Sequence, residues 1–119
     1  MKYIALIAHD RMKSELVNWI IENQEVIKKY PLIATESTGK LIIEKTGLKV
    51  ELVESGPMGG DVMIANHILL GHVEKLIFLI DTQAPHPHDP DIRTLTRIAT
   101  IKNIPFAMNR ATADYILKK

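Results

Sequence analysis

Short apolar runs alternate with amphipathic stretches five times along the chain. That alternation predicts repeated βα units around a mostly parallel sheet. The runs at 3–8, 32–35, 50–53, 76–80 and 105–108 are short and lack the strict polar–apolar alternation of a half-exposed strand. Both faces of the sheet should therefore be covered by helices. The first helix is read from Met12, Leu16, Trp19, Ile20 and Ile27, which make one apolar stripe with Lys13, Asn18 and Glu22 elsewhere on its surface. Trp19 is expected to anchor the core. A second helix is expected over 39–45, ending at Thr46-Gly47, and a third from Asp61 to Gly71, since glycine commonly stops a helix. The fourth begins with Asp89 as cap and Pro90 in the first turn.

Length changes the picture only by setting a limit: 119 residues suffice for one domain, 1–119, and not for two of ordinary size. Hydrophobic residues make up 46% and charged residues 24%, a balance that excludes disorder over most of the chain. A formal net charge of +1 gives no electrostatic footprint for a polyanion, so nucleic acid is not an expected partner. Cysteine is absent, which removes disulfides, thiolate catalysis and cysteine-ligated metal from consideration and fits a reducing compartment. The apolar run at 3–8 is too short for an export signal or a membrane span, so a cytoplasmic location without membrane partners is expected.

Ligands of open α/β sheets bind beyond the carboxyl ends of the strands. Those ends carry His9-Asp10, Thr35-Glu36-Ser37-Thr38-Gly39, Ser55-Gly56, Asp81-Thr82 and Asn109-Arg110. Thr35, Ser37 and Thr38 offer three hydroxyls, and the start of the following helix adds oriented N–H groups and partial positive charge. Together these describe a phosphate site, although the same hydroxyls also fit a helix cap alone. Lys13, one turn into the first helix, can supply the full positive charge a phosphate dianion calls for, and equally fits a solvated surface lysine.

The run Glu54-Ser55-Gly56-Pro57-Met58-Gly59-Gly60-Asp61 combines an anion cradle with a candidate catalytic carboxylate. Its hydroxyl and glycines let backbone N–H groups approach an oxyanion closely, and the Gly-Gly pair can hold Asp61 at an otherwise disfavoured chain angle. A plain turn is the competing reading. The segment Pro85-His86-Pro87-His88-Asp89-Pro90-Asp91 gathers two imidazoles and two carboxylates. No separated third ligand accompanies the histidines, so no metal site is assigned. A neutral His88 polarising a carbonyl near a helix N-terminus is the more attractive chemistry.

In this order and spacing, His9-Asp10 with Lys13, Thr35 to Gly39, Ser55-Gly56-Pro57-Met58-Gly59-Gly60-Asp61 and Pro87-His88-Asp89-Pro90-Asp91 closely resemble the methylglyoxal synthase family, as does Asn109-Arg110-Ala111-Thr112-Ala113-Asp114. The resemblance spans essentially the whole chain. It implies a Rossmann-like sheet of five strands and a carbon–oxygen lyase that converts dihydroxyacetone phosphate to methylglyoxal and inorganic phosphate, the methylglyoxal bypass of glycolysis. It implies no metal or organic cofactor, and a cytoplasmic homohexamer. By position, Asp61 matches the proton-abstracting base, while Lys13, Thr35, Ser37, Thr38, Ser55 and Gly56 match the phosphate-binding set. His9 and His88 match substrate-contacting histidines, and Asp10, Asp81 and Asp91 match further active-site acids.

Glu36 stands where the family often has glycine, and Ser37 where threonine is usual. A carboxylate aimed at a phosphate is repulsive, so Glu36 is expected to turn away and offer only its backbone N–H. Longer relatives carry a C-terminal extension that contributes an arginine to a neighbouring subunit's site. The main rival is a regulatory small-ligand module of the same fold, as in the allosteric domain of carbamoyl phosphate synthetase, which needs the cradle but neither Asp61 nor His88. A phosphoacceptor receiver domain fits less well, because strand three ends in Glu54-Ser55 in place of an acceptor aspartate.

Overall fold

A computed structural model describes residues 2–54, 59–83 and 92–118. Five strands, β1 (Tyr3–Ala8), β2 (Leu32–Thr35), β3 (Glu51–Val53), β4 (Val73–Leu79) and β5 (Phe106–Ala107), form one sheet in the order β3-β2-β1-β4-β5. Every pairing is parallel. The α/β class and the five-stranded parallel sheet are as the sequence predicts.

Period-two patterning explains how both faces become core. Ile4, Leu6 and Ala8 of β1 join a cluster with α1 (Lys13–Glu22), α3 (Glu36–Thr46) and α6 (Arg110–Leu117) on one face. Ala5 and Ile7 join a second cluster with α4 (Gly60–Leu69) and α5 (Ile92–Ile101) on the other. Because successive strand residues point to opposite sides, a run that is apolar throughout is what a two-sided core requires. Trp19 anchors the first cluster with no exposed surface. Its indole N–H donates to Asp114 Oδ1 at 2.7 Å, tying α1 to α6.

Several boundaries differ from expectation. The stripe read as one helix from Met12 to Ile27 is split: Met12 closes a 3-10 turn (Asp10–Met12), and α1 gives way at Asn23 to the short α2 (Gln24–Ile27). The Asn23 side chain donates to the Trp19 carbonyl at 2.8 Å, a side-chain bond that competes with helix propagation. β4 begins three residues earlier than its expected start at Leu76, since Val73 pairs with Tyr3. The second helix begins at Glu36, not Gly39. Gly39 is a packing position inside it, where a Cβ would collide with the Leu52 side chain and lie 3.3 Å from Ala34 Cβ.

At the third helix the unusual backbone angle falls on Gly59 (φ 90), while Asp61 sits in the first helical turn. Among the described non-glycine residues only Asn103 has positive φ, so the expected strained angle at Asp61 is corrected. The Asp89–Pro90 start of the fourth helix lies outside the described residues. α6 was not foreseen as an element. Its N-cap Asn109 accepts from the Thr112 N–H at 2.8 Å.

Candidate active site at the carboxyl edge

From β1 the chain steps outward through β2 to β3, then returns to the other side of β1 for β4 and β5. The carboxyl ends of β1 and β4 are therefore the topological switch point, where open sheets hold ligands. Two residues named from the sequence meet there. The Asp81 N–H donates to His9 Nδ1 at 2.8 Å, and the His9 N–H donates to the Leu79 carbonyl at 3.1 Å. His9 is 3% exposed and meets the Phe78 ring edge-on at 5.2 Å. A nitrogen that accepts a backbone N–H carries no proton of its own, so the ring proton is on Nε2 and His9 is a neutral hydrogen-bond donor. Asp81, also buried, accepts the Gln83 N–H at 2.9 Å.

The residues expected to form an anion cradle meet one strand away. β2 ends at Thr35, the N-cap of α3, whose side chain makes no capping hydrogen bond. The leading N–H groups of a helix lack intrahelical partners, and here they open onto the rim with the dipole's positive end. Lys13, the first residue of α1, donates to Ser37 Oγ at 3.0 Å and to Asp10 Oδ1 at 2.7 Å. One ammonium thus joins the turn after β1 to the first turn of α3. The Thr38 hydroxyl, in a side chain 1% exposed, has no hydrogen-bond partner among the described residues. An unmade bond at a buried hydroxyl costs about 1–3 kcal/mol.

Glu36 behaves as its chemistry demands. Its carboxylate lies 3.5 Å from Lys40 along the exposed side of α3. At about 100° per residue it projects roughly 160° around the helix from Thr38.

Asp61 stands in the first turn of α4, on the opposite sheet face from α1 and α3, and is half-buried. Its Oδ1 accepts the Val62 N–H at 3.0 Å. α4 packs on β2, β3 and β4, so its N-terminus reaches the same carboxyl edge as that of α3. Ser55, Gly56, His88 and Asp91 lie outside the described residues.

Sequence reasoning passed over Arg11. In the 3-10 turn after His9, its Nε lies 3.8 Å from Asp81 Oδ2, placing a second cation at the switch point. Its position two residues after His9 was the available signal. Conversely, Asn109 and Arg110, counted at the rim by sequence, have structural partners. Asn109 caps α6, and Arg110 pairs with Glu22 at 2.7 Å and Glu15 at 3.5 Å. The Glu22 hydrogen bond, joined by the pull of both carboxylates, raises the guanidinium pKa above its ordinary value.

The family model described as an MGS-like domain matches residues 15–108. A methylglyoxal synthase of Coxiella burnetii is 47% identical over 98% of this chain and 82% of its own. That of Moorella thermoacetica is 48% identical over 97% and 90%. An uncharacterized Synechocystis protein, sll0036, is 49% identical over 98% of this chain, which spans only 27% of that longer protein. The crystal structure of methylglyoxal synthase from Elizabethkingia anophelis superposes with a TM-score of 0.96 at 42% identity, covering 99% of this chain and 78% of that one. Matched from end to end in sequence and in fold, the chain belongs to the methylglyoxal synthase family.

Proposed function

We propose that the chain converts dihydroxyacetone phosphate to methylglyoxal and inorganic phosphate. The observation that carries the reading is the head of α3, where Lys13 bridges Asp10 and Ser37 and the neighbouring Thr38 hydroxyl has no partner among the described residues. A phosphate there gains one full positive charge, the helix N–H groups and a hydroxyl that no described residue satisfies. Thr35, Ser37, Thr38, Lys13, Ser55, Gly56 and the Glu36 N–H form the phosphate set.

In this mechanism ionised Asp61 takes a proton from the hydroxymethyl carbon, and the electrons move into the adjacent carbonyl to give an enediolate. His9, through Nε2–H, and His88 donate to the developing oxyanion. Loss of the hydroxyl proton then re-forms a carbonyl at the terminal carbon, the double bond shifts toward the phosphate-bearing carbon, and its C–O bond breaks to release phosphate. The enol left behind ketonises to methylglyoxal. Elimination requires the breaking C–O bond to stand across the enediolate plane, so the cradle decides between this outcome and isomerisation. Asp10 orients Lys13, Asp81 holds His9, and Asp91 completes the acidic set.

The working form is a cytoplasmic homohexamer. Val62, Met63 and Leu69 of α4, with its C-cap Leu70, leave 40–62% of their surface exposed. They fall within about 120° of one another around the helix, an apolar stripe suited to a second copy. Among the described residues no helix is long and apolar enough to cross a membrane.

The test is incubation with dihydroxyacetone phosphate and chelator, following methylglyoxal and phosphate together, with Asp61→Asn alongside. Equal release of both products by the unaltered chain, and turnover lowered by on the order of 10²–10⁴ in the variant with phosphate affinity kept, is expected. Phosphate binding without either product would overturn the lyase reading in favour of a regulatory module. Near-normal turnover in the variant would remove Asp61 as base.

A further inference from the structure

At the far, amino end of the sheet, α4 closes on a turn that brings two histidines together. Leu70 is its C-cap and Gly71 takes φ 79. The Gly71 N–H donates to the Ile68 carbonyl and the His72 N–H to the His67 carbonyl, both at 3.0 Å. This pair of bonds defines a Schellman motif, which sets the third helical residue from the end against the second residue beyond the cap, commonly as an apolar contact. Here both positions are imidazoles. His67 Nδ1 and His72 Nδ1 stand 3.1 Å apart, with ring centroids 5.3 Å apart. The Tyr3 ring meets His67 edge-on at 6.3 Å. The two rings border an open recess with Lys2, Tyr3 and Gly71.

We propose that His67 and His72 form a two-point chelate for a divalent transition cation of the Zn²⁺, Ni²⁺ or Cu²⁺ class. With metal–nitrogen bonds of about 2.0–2.1 Å, two ligands on a tetrahedral edge lie about 3.3–3.4 Å apart, and on a square edge about 2.8–3.0 Å. The observed spacing falls between these, so either geometry follows from small ring rotations, which the exposed His72 permits. The cation replaces the proton the two nitrogens share. The backbone bonds of the turn already hold the two residues side by side, which lowers the entropic cost of chelation. Among the described residues no third histidine or carboxylate joins them, so water fills the remaining positions. Lys2 is the opposing charge at the recess, and its flexible stem lets the ammonium swing outward.

The experiment is calorimetric titration of the untagged protein with Zn²⁺, Ni²⁺ and, as control, Mg²⁺, with imidazole NMR resonances followed in parallel. His67→Gln, His72→Gln and the double variant are compared after a thermal midpoint in chelator shows that each folds. One equivalent of Zn²⁺ or Ni²⁺ but not Mg²⁺ is expected to shift both rings, with binding weakened at least tenfold by either substitution. Equal binding by the double variant would overturn the proposal by placing the cation elsewhere. Absence of binding to the unaltered chain would leave only a proton-sharing pair.

Discussion

Thr38→Val removes one hydroxyl from a side chain that is 1% exposed and keeps its branched shape. The Thr38 Oγ1 has no partner among the described residues, so the unliganded protein bears a desolvation penalty of about 1–3 kcal/mol that valine abolishes. Helix propensity is nearly the same for the two residues. At about 2.1 cal/mol/K per residue, a chain of this length changes its melting midpoint by about 4 °C for each kcal/mol. The variant should therefore melt about 4–12 °C higher without ligand, at matched protein concentration. The same hydroxyl, bonded to a phosphate dianion, contributes about 1.5–3 kcal/mol, so the variant should bind phosphate about 10- to 100-fold more weakly. Scanning calorimetry with and without phosphate reads both effects in one protein. A lower midpoint would mean that the hydroxyl is already satisfied. An unchanged phosphate affinity would remove Thr38 from the cradle.

Lys13→Met should weaken phosphate binding about 10- to 100-fold by calorimetric titration. It should shift unfolding by less than about 1 kcal/mol, because its Asp10 partner is 54% exposed and such pairs contribute little; a large stability loss with unchanged affinity would make Lys13 a structural residue. Asp114→Ala leaves the indole N–H of the fully buried Trp19 without its acceptor. A loss of about 1–3 kcal/mol in denaturant unfolding, followed by Trp19 fluorescence, is expected, and an unchanged midpoint would show that the bond adds nothing to stability.

The sheet was legible because strands buried on both faces must be apolar throughout, and β1 and β2 were found at their full lengths on that ground alone. The helix boundaries were less so. Gly39 was expected to start the helix, yet it lies inside it, where a Cβ would collide with the Leu52 side chain of β3. Asn23 carries no sequence mark that separates a break from an ordinary polar position. The partners Asp81 and His9 are separated by 72 residues. Each was visible as a strand-end residue, but the bond that sets the tautomer depends on β1 and β4 being neighbours, and strand order is not written in local pattern. Arg110 was visible as a charge, whereas its pairing with Glu15 and Glu22 follows from how α6 lies on α1.

Gly39 also bears on how the anion site could change over time. Its bare Cα lets α3 rest on Leu52 and Ala34, so the head of the helix is aimed from behind by the sheet and not from in front by a ligand. On the proposed reading, the N–H groups at the head of α3 are held in place before a phosphate arrives. A lineage that must accept a bulkier anion gains little from editing the hydroxyls at the rim, because the room available is fixed one helical turn deeper. Enlarging the contact residue at position 39 requires either the Leu52 side chain to give way or the helix to lift from the sheet, and the second course carries outward every N–H at its head. One missing methyl group therefore acts as a ruler for the site's depth.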